Sequence, residues 1–280
     1  MSNMVRHASE ATRGPSPAIF GDFSKVTADW HRGQGFGYFD DFLHWHTTTT
    51  NSTDVLNPWS VVADDGFTVI QLVDPLMTKG EYGVLYFNNG DADNDYCYMT
   101  PGSLTGGSFV LDESEIDEIG WEIRMLKVTV ADAGLTFLCG LGRYDLAADG
   151  TLVDGTGAII STADFIGFSC LDDDGDAVDA VSIATGQTLQ TNASVATLTA
   201  DTYVKLGFKY RPADGTNKLR YYVNGSEVST TAITDLTAAT FPDNIVMDSL
   251  IGFKQEGTGN AKAQVDWVAA HCRLKNQFSP

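Results

Sequence analysis

Short runs rich in valine, isoleucine, phenylalanine, tyrosine and threonine recur along the chain, separated by clusters of glycine, aspartate and asparagine. No segment sustains the 3.6-residue period of an amphipathic helix, whereas such runs bounded by turn residues are typical of β-strands. Ten or more strands require two packed sheets or a closed barrel to bury their apolar faces. The sequence therefore predicts an all-β fold, with candidate strands FTVIQLV (67–73), YGVLYF (82–87), YCYM (96–99), GWEIRMLKVTV (120–130), LTFLCGLG (135–142), DFIGFSC (164–170), YVKLGFKYR (203–211), KLRYYV (218–223), SLIGFK (249–254) and AQVDWVAAH (263–271).

One hairpin is specified by its turn. Asn224 and Gly225 separate KLRYYV from SEVSTT, and both residues tolerate the positive φ that a type I′ turn demands. A second turn, ADGTN (213–217), adds YVKLGFKYR and gives three consecutive antiparallel strands. Long strands with a YVNG turn resemble the concanavalin A-like jelly roll, which implies a sandwich of two antiparallel sheets. LQTNASVATLTADT (189–202) is interpreted as a long polar connection, and the threonines 47–50 as a flexible or edge segment.

The N-terminal 35 residues differ in kind from the rest of the chain. They are polar, contain GPSP (14–17), and carry only a few apolar side chains. We interpret residues 1–35 as an extended arm and residues 36–280 as one sandwich domain. The apolar anchors of this arm are Ile19, Phe20, Phe23 and Trp30.

Charge and composition narrow the classes of function. The formal net charge of −20 argues against binding of DNA or RNA, which depends on a surplus of Lys and Arg. No run approaches the roughly 20 apolar residues that cross a bilayer, and the N-terminus has no signal-peptide pattern. Four cysteines, Cys97, Cys139, Cys170 and Cys272, lack CxxC spacing, so we expect buried thiols in a reducing compartment. Charge of this sign would let the protein dock on a basic patch of a partner.

The stretch YFDDF places Asp40 and Asp41 side by side within an aromatic run. On a strand, successive side chains point to opposite faces of the sheet, so these carboxylates cannot converge on one substrate atom. We therefore expect structural roles for both, and a hydrogen-bond partner for whichever one is buried.

The stretch ESEIDEIGWE (113–122) is the candidate catalytic strand of a glycosidase. Laminarinase-type enzymes resemble one another in Glu, Asp and Glu at alternating positions of one strand. Glu115 and Asp117 fit the first two positions, but Ile119 occupies the third, so the proton donor of retaining hydrolysis is missing. We interpret this stretch as a solvated acidic loop before the strand WEIRMLKV, and we expect no enzymatic activity.

The candidate metal, cofactor and sugar sites have weaker support in the sequence. The clusters DADND (91–95) and DDDGD (172–176) lack the glycine and glutamate spacing of an EF-hand loop, so solvated turns are expected there and no metal is assigned. His44 and His46 share a strand face without a third ligand, and His7, His31 and His271 stand apart. No cofactor motif is present. Exposed tryptophans would form a sugar-stacking platform, with candidates Trp45, Trp59, Trp121 and Trp267, but in a sandwich with 11% aromatic residues we expect burial in the core to account for most of them.

A set of short segments in a fixed order resembles a family of virion proteins of tailed bacteriophages. PSPAIFGDF, GQGFGYFDDF, GDADND, GWEIRMLKV, TFLCGLGRYDL, DFIGFSC and LIGFKQEGTGNAKAQVDWVAAHCRL carry the resemblance across residues 15–274. The matching positions are Pro17, Ile19, Phe20, Gly21 and Asp22 in the arm; Phe39, Asp40, Asp41 and Phe42 in the first strand; Trp121, Glu122 and Arg124 in the central strand; and Val265, Asp266 and Trp267 in the last. Tyr38 and Ile123 depart from the family pattern, in which these positions carry Phe and a small residue.

The resemblance implies a decoration or cement protein on the outer surface of the phage head. Such a protein would form trimers, bind the major capsid protein through its arm, and have no catalytic residue. The arm contacts would be Pro17, Ile19, Phe20, Phe23 and Trp30. The alternative is a carbohydrate-binding module of the virion for adhesion to the host surface, because the same fold supports both functions.

Overall fold

The computed structural model describes residues 14–21, 35–42, 48–49, 59–63, 68–72, 83–88, 95–101, 107–128, 130, 134–143, 153, 159, 162–171, 176–228, 239–255 and 262–275. These residues form an all-β protein with one short N-terminal helix and one 3-10 helix, Pro212–Asn217. The helix is α1 (Pro17–Phe20) and the strands are β1 (Gly35–Asp40), β2 (Thr48–Thr49), β3 (Trp59–Ala63), β4 (Thr68–Leu72), β5 (Val84–Asn88), β6 (Tyr96–Pro101), β7 (Phe109–Val110), β8 (Ile116–Lys127), β9 (Leu135–Arg143), β10 (Phe165–Cys170), β11 (Ala177–Ile183), β12 (Gln190–Thr197), β13 (Val204–Tyr210), β14 (Leu219–Val223), β15 (Ser226–Glu227), β16 (Val246–Gln255) and β17 (Lys262–Leu274).

The strands form two antiparallel sheets. Sheet A has the order β15-β14-β13-β8-β17-β5-β4-β2, and β1 also pairs with β17. Sheet B has the order β12-β11-β10-β9-β16-β6-β3, with β7 beside one end of β16. The long strand β17 pairs with β8 on one side, and on the other side it pairs first with β5 and then with β1. The predicted antiparallel sandwich is confirmed.

The core lies between the inner faces of the two sheets. On β8 the alternation is strict: Ile119, Trp121, Ile123 and Met125 point into the core, so the residues between them face outward. Polar contacts cross this core, because the Trp121 indole N–H donates to Ser249 Oγ of sheet B at 2.6 Å. A buried polar group that is hydrogen-bonded in this way fixes the sheets in one relative position.

The predicted hairpin is also confirmed. β14 and β15 pair through Val223 and Ser226, and both turn residues have positive φ, 51° at Asn224 and 78° at Gly225. β13 pairs with β14, which completes the three antiparallel strands. The turn between β13 and β14 is wound as the 3-10 helix.

Three sequence predictions need correction. Residues 190–197, expected in a polar connection, form β12 at the edge of sheet B, where one face and one side of the strand meet solvent and polar residues are tolerated. β3 and β11 were not predicted. β8 begins at Ile116, so only residues 113–115 of the expected acidic loop are a turn.

The threonines at 48 and 49 lie in an edge strand of sheet A, one of the two expected options.

All four cysteines are buried thiols, as predicted, and none of them is in a disulfide. Burial raises the pKa of Cys272 to about 12 and that of Cys97 still further, so these thiols are protonated at neutral pH. In the part of the chain that the structure describes, no helix is long and apolar enough to cross a membrane.

Candidate functional site

The N-terminal segment 14–21, here called the docking segment, lies against the outer face of sheet A. The Ser16 backbone N–H donates to Glu122 Oε2 at 2.7 Å, and Lys205 Nζ donates to the Gly14 carbonyl at 3.2 Å. Glu122 and Lys205 are outward-facing residues of β8 and β13. Two charged side chains of the sheet therefore hold the backbone of this segment.

Two apolar side chains complete the attachment. Ile19 is 0% exposed and Phe20 is 3% exposed, and both belong to an apolar cluster on the outer face of sheet A. We call the receiving surface the docking face; it comprises Phe39, Glu122, Lys205, Tyr222, Trp267 and Ala269. The cluster is separate from the core between the sheets, because the sheet itself lies between them.

Glycines make room for this close approach. A Cβ on Gly207 would lie 2.5 Å from Ile19 Cδ1, and a Cβ on Gly120 would overlap the His271 ring. Gly21 ends α1 with φ 60° and ψ −133°, a conformation that is essentially restricted to glycine. The chain can therefore leave the docking face directly after Phe20.

A row of charged residues lies beside the docking segment. Glu118 of β8 accepts from His271 Nε2 at 3.2 Å and pairs with Lys209 at 3.2 Å and with Arg273 at 3.7 Å. Burial alone would raise the pKa of Glu118, but the His271 hydrogen bond and the charges of Lys209 and Arg273 outweigh it and lower that pKa to about 2. Phe20 covers the row, with its ring centroid 5.2 Å from that of His271.

Glu122 is the carboxylate of the docking face, and it is fully enclosed, at 0% exposure. Burial raises its pKa, and the contact with Ser16 and the charge of Lys205 offset this only in part. Its Oε1 has no hydrogen-bond partner among the described residues. A carboxylate in this position is stabilised by the docking segment, since removal of the Ser16 N–H would leave it without that donor.

Arg124 lies on the outer face of sheet A, two positions after Glu122 on β8. Its guanidinium pairs with Asp266 of β17 and lies 3.8 Å from the ring centroid of Tyr203. The Tyr203 hydroxyl donates to Gln264 Oε1 at 2.9 Å. Arg124 and Asp266 therefore tie β8 to β17 beside the docking face.

The YFDDF stretch has an architectural role. Asp40 accepts from the Phe42 backbone N–H at 2.7 Å and from the Trp59 indole N–H at 2.6 Å. Phe42 packs beside Trp59 in the core, with ring centroids 5.7 Å apart, and Asp41 is half-buried. Asp40 thus joins the end of β1 to β3 of the other sheet, and the expected hydrogen-bonded structural role is confirmed for it.

Asp248 of β16 is a second enclosed carboxylate, at 3% exposure. It accepts from the Ser249 backbone N–H at 2.8 Å and from Ser108 Oγ at 3.4 Å, and it has no ion-pair partner among the described residues. Burial raises its pKa from 3.8 to about 7 despite these hydrogen bonds. Burial and the charge of Asp248 also raise the pKa of Tyr38, whose hydroxyl contacts Ser249.

The predicted arm contacts divide into three groups. Ile19 and Phe20 are buried against the chain's own sheet, so neither is available at the surface, and the expectation of a shell contact through them needs correction. The physical reason is that Tyr222, Trp267 and Ala269 form an apolar patch on the outer face of sheet A, on which these two side chains pack. Pro17 is exposed. Phe23 and Trp30 lie outside the described residues, so their role stays a prediction.

The structure brings together the motif segments that are far apart in the sequence. Phe39 from YFDDF packs on Trp267 from VDW with ring centroids 5.8 Å apart, Trp267 shares the cluster with Ile19 and Phe20, and Glu122 from WEIR binds Ser16. Sequence reasoning missed the contributions of Ser16, Glu118, Lys205, Tyr222 and His271. The alternation in DEIGWE could have placed Glu118 and Glu122 on one outer face, had the strand been started at Ile116.

The carboxylates of these elements are not arranged for catalysis or metal binding in the described part of the chain. Glu115 lies in a turn, Asp117 pairs with Arg273 at 2.6 Å, and Ile119 is buried in the core. Glu118 and Glu122 share the outer face, but both are enclosed and bound by the chain's own groups. Among the described residues, no group of three or more His, Cys, Asp or Glu side chains could hold a metal ion.

Several predicted ligand groups lie elsewhere. Trp59, Trp121 and Trp267 are buried, as expected for most of the tryptophans, so these three form no exposed sugar platform. Their partners are the sandwich's own side chains, because a large aromatic ring gains most from burial in such a core. Trp45, His7, His31, His44, His46, Asp22 and most of the two aspartate clusters lie outside the described residues.

Comparison with solved structures shows the fold. A protein of unknown function from Shewanella oneidensis MR-1 matches with a TM-score of 0.54 and 12% identity over 88% of this chain and 90% of that one. An endo-1,3-β-glucanase from Streptomyces sioyaensis matches with a TM-score of 0.53 and 14% identity over 85% and 96%. The carbohydrate recognition domain of Emp46p matches with a TM-score of 0.51 and 12% identity over 82% and 93%.

The fold is the concanavalin A-like jelly roll. Identities this low establish the architecture alone. Neither a protein-family model nor a curated protein sequence matches the chain. The comparisons therefore account for the two sheets. The docking segment on sheet A is established by the contacts within this chain.

Proposed function

We propose that this protein is a non-enzymatic structural protein of a tailed-bacteriophage virion, which decorates the outside of the head and binds the major capsid protein. The observation that carries the proposal is the meeting of PAIF, FDDF, WEIR and VDW residues around the docking segment. These are the motifs on which the resemblance to phage virion proteins rests. They contribute packing, ion pairs and backbone hydrogen bonds.

The enclosure of the carboxylates supports a non-enzymatic role. Glu118 is held by His271, Lys209 and Arg273, and Glu122 is covered by the docking segment. A hydrolase needs its acid and its base within reach of a substrate atom. The described residues offer no such accessible pair.

The shell environment suits a protein of this kind. A symmetric capsid displays many copies of one site, so contacts that are weak individually add up when neighbouring copies, for example in a trimer, are linked. The net charge of −20 favours docking on basic patches of a shell. Phe23 and Trp30, which lie outside the described residues, are the remaining apolar arm residues proposed to contact the shell.

A reconstruction of purified virions of the encoding phage tests the proposal. We expect the jelly roll as separate density on the outside of a continuous shell. Absence of the chain from purified virions, or its density inside the head, would contradict the proposal. Phe23→Ala with Trp30→Ala should reduce its occupancy on heads, whereas the exposed Ala18→Ser control should not.

Carbohydrate binding is the second candidate. It is favoured by the fold shared with the carbohydrate recognition domain of Emp46p, together with the partly exposed Tyr203 beside Arg124, Gln264 and Asp266. A tyrosine ring among such polar groups is suited to stacking and hydrogen bonding with a sugar. A glycan array is the test: binding that disappears in Tyr203→Ala supports this function, and an array without binding contradicts it.

A further inference from the structure

The side-chain hydrogen bonds that attach the docking segment to sheet A join residues that are remote in sequence. Ser16 and Glu122 are 106 positions apart, and Gly14 and Lys205 are 191 positions apart. Residues 22–34 connect the segment to β1, and the 14 residue steps from Gly21 to Gly35 can span at most about 50 Å. The segment and its receiving surface are therefore two complementary parts joined by a long connection.

The docking face recognises a short peptide of defined chemistry, which ends in the single helical turn of α1. Lys205 donates a hydrogen bond to the Gly14 carbonyl, and Glu122 accepts one from the Ser16 backbone N–H. The apolar cluster receives the aliphatic side chain of Ile19 and the aromatic side chain of Phe20. Gly207 and Gly120 leave the space that these side chains fill. Pro15 and Pro17 restrict the free segment, which lowers the entropy cost of its docking.

We propose that the docking face also receives the docking segment of a second copy of this chain, so that neighbouring copies exchange their N-terminal segments. Every copy carries the same segment and the same face, so all contacts made within one chain can be made between two. The connection keeps the segment near its own face, so a second copy competes for that face only at a high local concentration. Exchange is therefore favoured where copies are crowded together. The inference goes beyond the proposed function and does not depend on it.

A disulfide between segment and face can capture the exchange. Ser16 Cβ lies 3.3 Å from the position of a Cβ at residue 225, close to the separation in a disulfide. One full-length chain carries Ser16→Cys and a differently tagged one carries Gly225→Cys, so neither alone can form this bond within itself. The four native cysteines are buried and do not compete. Gly225→Ala is the matched control, because it has the same Cβ and the same positive φ without the thiol.

The two chains are mixed, unfolded and refolded together over a range of protein concentrations, and then oxidised. We expect a reducible heterodimer on a denaturing gel, with a yield that rises with concentration and is absent with Gly225→Ala. No heterodimer above this control at the highest concentration would overturn the proposal. The isolated protein is used, so this outcome is independent of whether the chain is found on virions.

A peptide experiment decides the question if Gly225→Cys does not fold. Ile19→Asp in the full-length chain places a charge in the apolar cluster, which should displace the chain's own segment. A fluorescent peptide of residues 12–22 should then bind this variant at least tenfold more tightly than it binds the wild-type chain. The same peptide with Ile19→Asp is the control. Absence of binding to the variant would overturn the proposal.

Discussion

Asp248→Asn tests how the buried carboxylate of β16 affects stability. The substitution removes the charge and keeps an oxygen that can accept the Ser249 N–H. The pKa of Asp248 is raised by burial, so the folded state holds a proton there that the unfolded state has already lost. As pH rises from 3.8 to about 7, the free energy of unfolding of the wild-type protein should therefore fall.

The magnitude follows from the pKa difference. The folded and unfolded values, about 7 and 3.8, are about three pH units apart, and each unit corresponds to 1.36 kcal/mol. The ionised carboxylate thus costs up to roughly 4 kcal/mol above pH 7. For a domain of this size, that corresponds to an increase of about 8 °C in the melting temperature of Asp248→Asn.

Urea denaturation followed by tryptophan fluorescence at several pH values between 4 and 8.5 measures this effect. The stability gain of Asp248→Asn should be near zero at pH 4, grow through pH 5 to 7, and level off above that. Asp112→Asn is the control of opposite sign, because hydrogen bonds from Ser114 lower the pKa of that exposed carboxylate and its removal should give no gain at neutral pH. An Asp248→Asn gain that is the same at pH 4 and pH 8 would refute the reasoning.

Four further predictions concern the docking face and its surroundings. Glu118→Gln should lose roughly 3 kcal/mol of stability near pH 7, because the pKa of Glu118 is lowered from 4.5 to about 2; this loss should vanish in urea titrations as pH falls from 4.5 towards 2. Ile19→Ala should cost about 2–4 kcal/mol, or less if the docking segment detaches before the domain unfolds, and should speed tryptic cleavage near the N-terminus; Ala18→Ser should change neither. Trp59→Phe removes the indole donor to Asp40 and should cost about 1 kcal/mol in thermal unfolding, with Asp41→Asn as the near-neutral comparison. Purified protein should release no reducing sugar from β-1,3- or β-1,4-glucan, and turnover that Glu115→Gln or Glu122→Gln abolishes would contradict the non-enzymatic role.

The sheets could be predicted because their signals are local. Alternation and turn residues within a few positions identify strands such as β8 and β9, and Asn224-Gly225 identifies its hairpin. β12 was missed because QTNASVAT has few apolar residues, and an edge strand needs few. Composition therefore misleads where a strand is paired on one side only.

The docking face could not be predicted, because it depends on which distant strands become neighbours. The sequence marked Ile19 and Phe20 as apolar side chains in need of a partner, but it could not show that the partner lies on sheet A. The enclosure of Glu122 follows from the same long-range packing. A contact across 106 positions leaves no periodic trace in the sequence.

The dependence of Glu122 on the docking segment has a consequence for how such chains diverge. A descendant that loses the segment keeps a solvent-facing carboxylate with no reason to be Glu, and its Phe39 and Trp267 become a liability for aggregation. The arm motif, Glu122, Phe39 and Trp267 should therefore be inherited or lost as a set. Sequence searches that require these four short elements in order, with free spacing between them, should recover relatives whose remaining residues no longer align.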